Sequence, residues 1–456
     1  MAAPKSDTHA SLSSFSAAAV PPSFFGHAIS PLDFHACLAL SFITAVLTPC
    51  FRRGSAQRYG MLALQLYFTV QAYLATVPPT GNLAVAYSSG VLLGNLTLRF
   101  LDRLYLHVPE EAFRRVHSSG VEEKPETLSP SQKLWWSAEL LTTTRGVGWN
   151  WRVPGTPKAA SRARAAFVFD RGVRWVAMYG SVWLAERICA GILDEWAQLP
   201  DGWTKRGLLA LTHNTAFLYV FVVLLLALTV YTHFAMLTLP AALLCVGIGI
   251  GPARWRQPEA WPATFGSLAE AYSLRRFWSH CWHQQVRRTL GVPAAFVLSI
   301  LPAPLRTSSR LPARLFRRYF GLLLAFLLSG AFHTVGHSAV LRARRGSGDD
   351  DAQLRVWGEM PFFLAQGVGI MLEDLLCHML GVDDRRGVGR ARRLVGYIVT
   401  AAWYGWTRVQ LKAVPMAATF GISDGRGPLL ETVELVRVSL AAIPGNFVKM
   451  GMEQLV

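Results

Sequence analysis

Long apolar runs separated by short, often basic, polar connections dominate this chain, and the runs approach the length needed to cross hydrocarbon. A bilayer core of about 30 Å takes roughly 20 helical residues at ~1.5 Å each. Such runs fall at 32–49, 61–77, 83–101, 172–192, 211–231 and 233–251 in the first part, and at 292–304, 319–341, 357–380, 394–412 and 430–448 in the second. The run at 292–304 is short for a span and suits a re-entrant or interfacial segment. A lipid-exposed backbone must satisfy its own hydrogen bonds, and the alternation of a barrel is absent, so helices are expected throughout. The pattern predicts an all-α, polytopic transmembrane bundle of about eight to ten spans. Residues 1–30, rich in Ser, Ala and Pro, read as a disordered lead, 31–101 as N-terminal transmembrane helices, and 172–456 as the main transmembrane core.

Composition agrees with that reading. Of the 456 residues, 52% are hydrophobic and 16% charged, which is too apolar for a set of soluble domains. The formal net charge of +17 sits largely in the connections, at Arg52 and Arg53, Arg162 to Arg174, Arg342 to Arg345 and Arg385 to Arg393. Basic loops of this kind stay cytoplasmic and meet anionic headgroups. No soluble domain is left to make the positive charge a nucleic-acid surface. The six cysteines lie in or beside apolar runs without a CxxC spacing, so neither a disulfide framework nor a cysteine-rich metal site is implied.

Two polar stretches interrupt the pattern. The first, 102–171, carries both signs of charge and an aromatic-basic group, Trp135, Trp136, Arg145, Gly146, Gly148, Trp149 and Trp151, and reads as an interfacial or cytosolic loop. The second, 252–290, is too polar to span and too aromatic for a free linker. Within it a helix over 267–289, capped by Ser267, is expected. At 100° per residue, Arg276, His280, His283 and Arg287 then share a stripe, and Trp278 and Trp282 share another side. Such a helix suits the membrane surface over a cavity.

The chemistry points to His333, near the middle of 319–341. An ionisable group at that depth faces a protein interior or a water-filled cavity. Ser329 and Gly330, one turn earlier, are small enough to let a neighbouring helix or a ligand approach. His337 follows on the same face, but Thr334 occupies the place where a zinc peptidase needs glutamate, and the twelve histidines lack the further boxes of a di-iron oxidase, so no metal is expected. A neutral imidazole takes and returns a proton at physiological pH, which suits activation of an alcohol. Acyl transfer to that alcohol also needs a donor for the developing oxyanion, supplied by His283 or an arginine beside it. There is no Gly-x-Ser-x-Gly elbow and no cysteine in a nucleophile setting, which favours direct transfer in a ternary complex.

These residues resemble fungal wax synthase-like members of the membrane-bound O-acyltransferase superfamily. The match lies in Trp261-Pro262-x-x-Phe265-Gly266-Ser267 and in Ser273 through Gln284, which is similar to a Phe-Trp-x-x-x-Trp-His signature at Phe277, Trp278, Trp282 and His283. It lies again in Ser329-Gly330-x-x-His333, and more weakly in Arg145 to Trp149 and in Phe362 through Asp374, which includes Gln366. The chain departs from the pattern at Ser279-His280-Cys281, where relatives often have Gly-Arg-Arg. The resemblance implies a bundle with an internal catalytic tunnel, an acyl-CoA donor as co-substrate without a tightly bound cofactor, His333 as general base and His283 as its partner at the reacting carbonyl. Trp278, Trp282, Arg276, Arg287, Arg288, Ser329 and Gln366 are then the expected contacts to substrate or CoA. For the fungal branch it implies O-acetylation of a terpenoid or polyketide alcohol in the endoplasmic reticulum membrane. Two rivals remain: a long-chain wax or sterol ester synthase, and a transporter in which His333 relays protons.

Overall fold

The computed structural model describes residues 34–75, 83–117, 120–157, 163–195, 198–345, 357–381, 389–422 and 425–452, with the two-residue strands Ser23–Phe24 and His27–Ala28. Apart from those strands, the lead at 1–30 lies outside the described residues. The principal helices are α1 (Phe34–Leu47), α2 (Ala56–Leu74), α3 (Leu83–Phe100), α4 (Pro130–Thr142), α5 (Arg164–Ala190) and α6 (Trp203–His213). They continue with α7 (Thr215–Ala242), α8 (Arg287–Ser299), α9 (Leu311–Arg345), α10 (Met360–Met379), α11 (Arg390–Arg408) and α12 (Pro428–Met452). Among the described residues, strand pairing is confined to two short hairpins and an isolated bridge.

Among the described residues, four segments are long and apolar enough to cross a membrane: Arg164–Asp194, Thr215–Ile248, Leu311–Arg344 and Met360–Met379. Two of the predicted runs fuse into one of these segments. Residues 211–231 and 233–251 were expected as separate spans, yet α7 passes through the polar Thr232 and His233 without a break. Both side chains turn back onto their own helix, with the Thr232 hydroxyl and His233 Nδ1 each donating to the Thr229 carbonyl. A polar pair satisfied in this way does not end a helix. The apolar α1 is shorter, and α8 spans only 13 residues with Pro293 inside it.

At the centre, α9 packs along α3 on one side and α10 on another. Glycines set both distances. A Cβ on Gly90 would lie 2.7 Å from the Val335 carbonyl oxygen, and one on Gly336 would lie 2.8 Å from the Tyr87 ring. A Cβ on Gly330 would meet Met360 Sδ at 2.4 Å. Small residues therefore let α3 and the start of α10 close onto α9 at the level of His333.

The two polar stretches also differ from expectation. The stretch 102–171, read as an interfacial loop, has a core of its own in which Phe113, Trp136, Leu140 and Trp149 are buried, and its last residues already belong to α5. Its charges are paired inward: Asp102, 1% exposed, accepts two hydrogen bonds from Arg288, at 2.8 and 2.9 Å. The single helix expected over 267–289 is not formed. A 3₁₀ turn (Leu268–Glu270), one α turn (Leu274–Arg276) and a π turn (Phe277–Cys281) give way to extended backbone at Trp282, and α8 starts at Arg287. Tertiary contacts override the helical pattern. The Gly266 amide donates to the Cys281 carbonyl at 2.9 Å, where any side chain on Gly266 would collide with the His280 carbonyl. The buried Gln284 amide donates to the carbonyls of Trp282 (2.7 Å) and Trp278 (3.1 Å). The predicted stripe of Arg276, His280, His283 and Arg287 does not exist as one helical face.

Candidate active site

His333 projects from the middle of α9 with 21% of its side chain exposed. Its ring stacks against Phe332 and Phe363, at centroid distances of 4.6 and 4.7 Å. Nδ1 lies 2.8 Å from the Tyr87 hydroxyl of α3 and 3.4 Å from Oε2 of Glu359, the residue that precedes α10. Nε2 has no protein partner among the described residues. Ser329 is buried one turn before it.

The Glu359 carboxylate is the hub behind this ring and is 0% exposed. Its Oε1 accepts from the Tyr87 hydroxyl at 2.5 Å and from His337 Nε2 at 2.9 Å. Its Oε2 is ion-paired with Lys412 Nζ, which comes from a π turn, Val409–Ala413, after α11. The other His337 nitrogen, Nδ1, is 3.1 Å from the Thr419 hydroxyl. A buried carboxylate is tolerated only when it is paired and hydrogen-bonded, and here Tyr87, His333, His337 and Lys412, from three parts of the chain, converge on one.

His283 occupies different surroundings. Its ring sits against Phe234 (4.2 Å), Trp282 (5.2 Å) and Phe265 (5.8 Å), and its Nδ1 is buried without a hydrogen-bond partner. Burial, then the nearby Arg145 charge, pulls its pKa down to about 3. The two imidazoles make no direct contact with each other. Aromatic rings connect them, from His333 through Phe363, Phe362, Tyr404 and Trp282 to His283. A cavity of about 2030 Å³ opens beside this aromatic group, with Arg145, Arg254, Tyr231, Phe265, Trp282 and Tyr404 among its lining residues. Neither His283 nor His333 lies on its wall, so the expected tunnel is present only as far as Trp282.

The remaining expected contacts are distributed unevenly. Trp278 Nε1 donates to Gln366 Oε1 at 3.3 Å, and the fully buried Gln366 donates onward to Thr407 at 2.8 Å, so both brace the aromatic group. Arg276 pairs with Glu270 and lies over the Tyr272 ring, and Arg287 donates to the Pro154 carbonyl at 2.9 Å. With Arg288 held by Asp102, all three arginines have partners within the protein. The segment after Phe362 secures the signature turn, since the Glu373 carboxylate accepts from the amides of Leu274 and Arg275 at 2.9 and 3.1 Å. Arg145 reaches the carbonyls of Pro262 and Ala263, tying the first polar stretch to the second.

Residues 261–364 match a family model described as "Membrane bound O-acyl transferase family". Over 413 residues the chain is 46% identical to O-Mevalon transferase yanI of Aspergillus niger, covering 90% of each chain. The chain belongs to that family. It is also 43% identical over 424 residues to O-Mevalon transferase macI of Penicillium terrestre, covering 92% of this chain and 95% of the relative. Acetyltransferase ple2 of Rhodocybe pseudopiperita is 28% identical over 385 residues, covering 80% and 87%. No solved structure matches. The protein is therefore an integral membrane O-acyltransferase of the fungal secondary-metabolite type, with an acyl donor and an alcohol acceptor. This excludes the transporter reading.

Sequence reasoning missed three members of this O-acyltransferase's buried network: Tyr87, Glu359 and Lys412. Lys412 closes the run 394–412, where a lysine reads as a snorkelling anchor rather than as a buried partner. Glu359 stands at the start of the run 357–380 and Tyr87 inside an ordinary apolar face, so neither stood out before α3, α9 and α10 were brought together.

Proposed function

We propose that His333 is the general base for direct transfer of a short acyl group from its CoA thioester to the hydroxyl of a hydrophobic terpenoid or polyketide. The observation that carries this reading is the state of the ring: Nδ1 is engaged by the protein, Nε2 is not, and the side chain is partly accessible. Nε2 takes the alcohol proton as the oxygen attacks the thioester carbon. The tetrahedral intermediate then expels the CoA sulfur, which recovers that proton. Base catalysis of this kind supplies ~10²–10⁴-fold. His283, with an unpartnered nitrogen in an aromatic enclosure, is the proposed donor to the oxyanion. The cavity beside the aromatic group is the proposed entry for CoA from the cytosolic side, and the endoplasmic reticulum is the proposed membrane.

The donor expected from the motifs was acetyl-CoA. Similarity favours a different order: the relatives at 46% and 43% are named for mevalon transfer, whereas ple2 at 28% is named an acetyltransferase. A mevalonyl group, short, branched and hydroxylated, is accordingly proposed first and acetyl second. Purified enzyme given mevalonyl-, acetyl- and palmitoyl-CoA in competition, with a panel of hydroxylated terpenoids and polyketides, separates these readings by product mass. A mevalonylated product is expected. An exclusive preference for palmitoyl-CoA would replace the reading with a long-chain ester synthase.

A further inference from the structure

The cluster behind His333 has a consequence for the proton, and it rests on the proposal that His333 is the base. The Tyr87 hydroxyl has one proton, and its 2.5 Å contact with Glu359 Oε1 uses it. Its oxygen is then free only to accept, so the 2.8 Å contact to His333 Nδ1 requires that the proton be on Nδ1. We propose that Glu359, acting through Tyr87, is the positioning residue that holds His333 as the Nδ1–H tautomer, with the Nε2 lone pair presented to the acceptor alcohol.

The same carboxylate is kept in place by groups that do not touch the ring's reactive edge. Lys412 neutralises Oε2, and His337 donates Nε2–H to Oε1. The ammonium of Lys412 also lies 4.9 Å from the Phe363 ring, the ring that stacks on His333. The close approaches at Gly336 and Gly330 explain why the arrangement survives. One brings Tyr87 against α9, and the other brings Met360, and with it Glu359, against the turn below His333. During turnover the proton passes from the alcohol to Nε2 and then to the departing CoA sulfur. Glu359 keeps its charge throughout and faces the transient imidazolium from 3.4 Å. An imidazole whose second nitrogen is fixed by a carboxylate network has its tautomer set by that network.

Two measurements test the idea. Solid-state NMR of protein labelled on histidine with ¹³C and ¹⁵N, reconstituted in phosphatidylcholine liposomes, reports the tautomer, with the His333 signal identified by its loss in His333→Ala. The expected wild-type state is Nδ1–H. An Nε2–H ring in the wild type overturns the proposal even if His333 proves essential. The second measurement is steady-state turnover, read as CoA release with the preferred donor and acceptor from the competition above. Tyr87→Phe is expected to lower kcat about 10-fold, and Glu359→Gln about 10²-fold with mixed His333 tautomers, each with KM within about twofold. Glu359→Asp should recover part of the loss. If Glu359→Gln fails to fold, Tyr87→Phe, which removes one oxygen, decides the matter together with the wild-type spectrum. A Tyr87→Phe enzyme with unchanged kcat and an unchanged tautomer defeats positioning through Tyr87, whereas an active His333→Ala enzyme defeats the base itself.

Discussion

His333 and His283 are both partly buried imidazoles in an apolar protein, yet their surroundings are built on opposite plans. Around His333 the protein concentrates polar groups, with a phenol, a second imidazole and an ammonium all inside hydrogen-bonding or ion-pairing range of one carboxylate. Around His283 it concentrates rings, with Phe234, Phe265 and Trp282 against the imidazole and no partner for Nδ1. The first plan holds one nitrogen and leaves the other available, which is what a base needs. The second leaves a neutral ring whose free nitrogen is satisfied only when a ligand arrives, which suits a donor to a charge that forms during reaction.

The comparison breaks most directly if the two rings can be exchanged in function. His333→Ala is expected to remove turnover by about 10³-fold or more while the protein still elutes as a folded species in detergent, measured as acyl product by mass spectrometry. Activity near the wild-type rate would show that no base sits in the hydrogen-bonded niche. The polar plan is sharpened by Lys412→Met, which leaves Glu359 without its cation. Breaking a buried pair in this way typically costs ~3–5 kcal/mol, read as a lowered melting temperature alongside lost activity.

A smaller effect belongs to the aromatic niche. His283→Ala should lower kcat by about 10²-fold with little change in the KM for acyl-CoA, the scale of losing one oxyanion donor. His283→Asn, which restores a donor, should regain much of it. Equal activity for Ala and Asn would remove the donor role. Packing comes next. Gly90→Ala places a methyl against the Val335 carbonyl and should push α3, with Tyr87, away from α9 at a cost of ~1–3 kcal/mol in stability.

A last effect is a pH dependence to which His283 contributes. Its folded pKa of about 3 lies below the unfolded value near 6.5, so the unfolded chain binds the proton first. Stability from this group is complete above about pH 6.5 and declines as pH falls toward 3. Melting temperatures recorded between about pH 7 and 4 should therefore fall less in His283→Asn than in the wild type.

Some residues of the candidate site stood out in the sequence, and for identifiable reasons. His333 stood out because an ionisable group in an apolar run is costly, and Gly330 because a missing side chain there permits a close neighbour, which proves to be Met360. The signature around Trp278 and Trp282 was legible as residues but not as geometry. Its helical stripe dissolved because Gly266, Gln284 and Glu373 claim backbone groups that a continuous helix would have used internally. Arg276, Arg287 and Arg288 had the right charge for CoA, yet charge along a sequence does not reveal that Glu270, the Pro154 carbonyl and Asp102 are waiting for them.

Local composition and spacing were sufficient to establish a helical membrane protein with a histidine inside the apolar region, because transfer free energies and helical periodicity act on neighbours along the chain. The partners of that histidine were decided only on folding. Tyr87, Glu359 and Lys412 are separated from His333 by 26 to 246 positions and come from other elements, and a hydrogen bond depends on ångströms between atoms rather than on distance along the sequence.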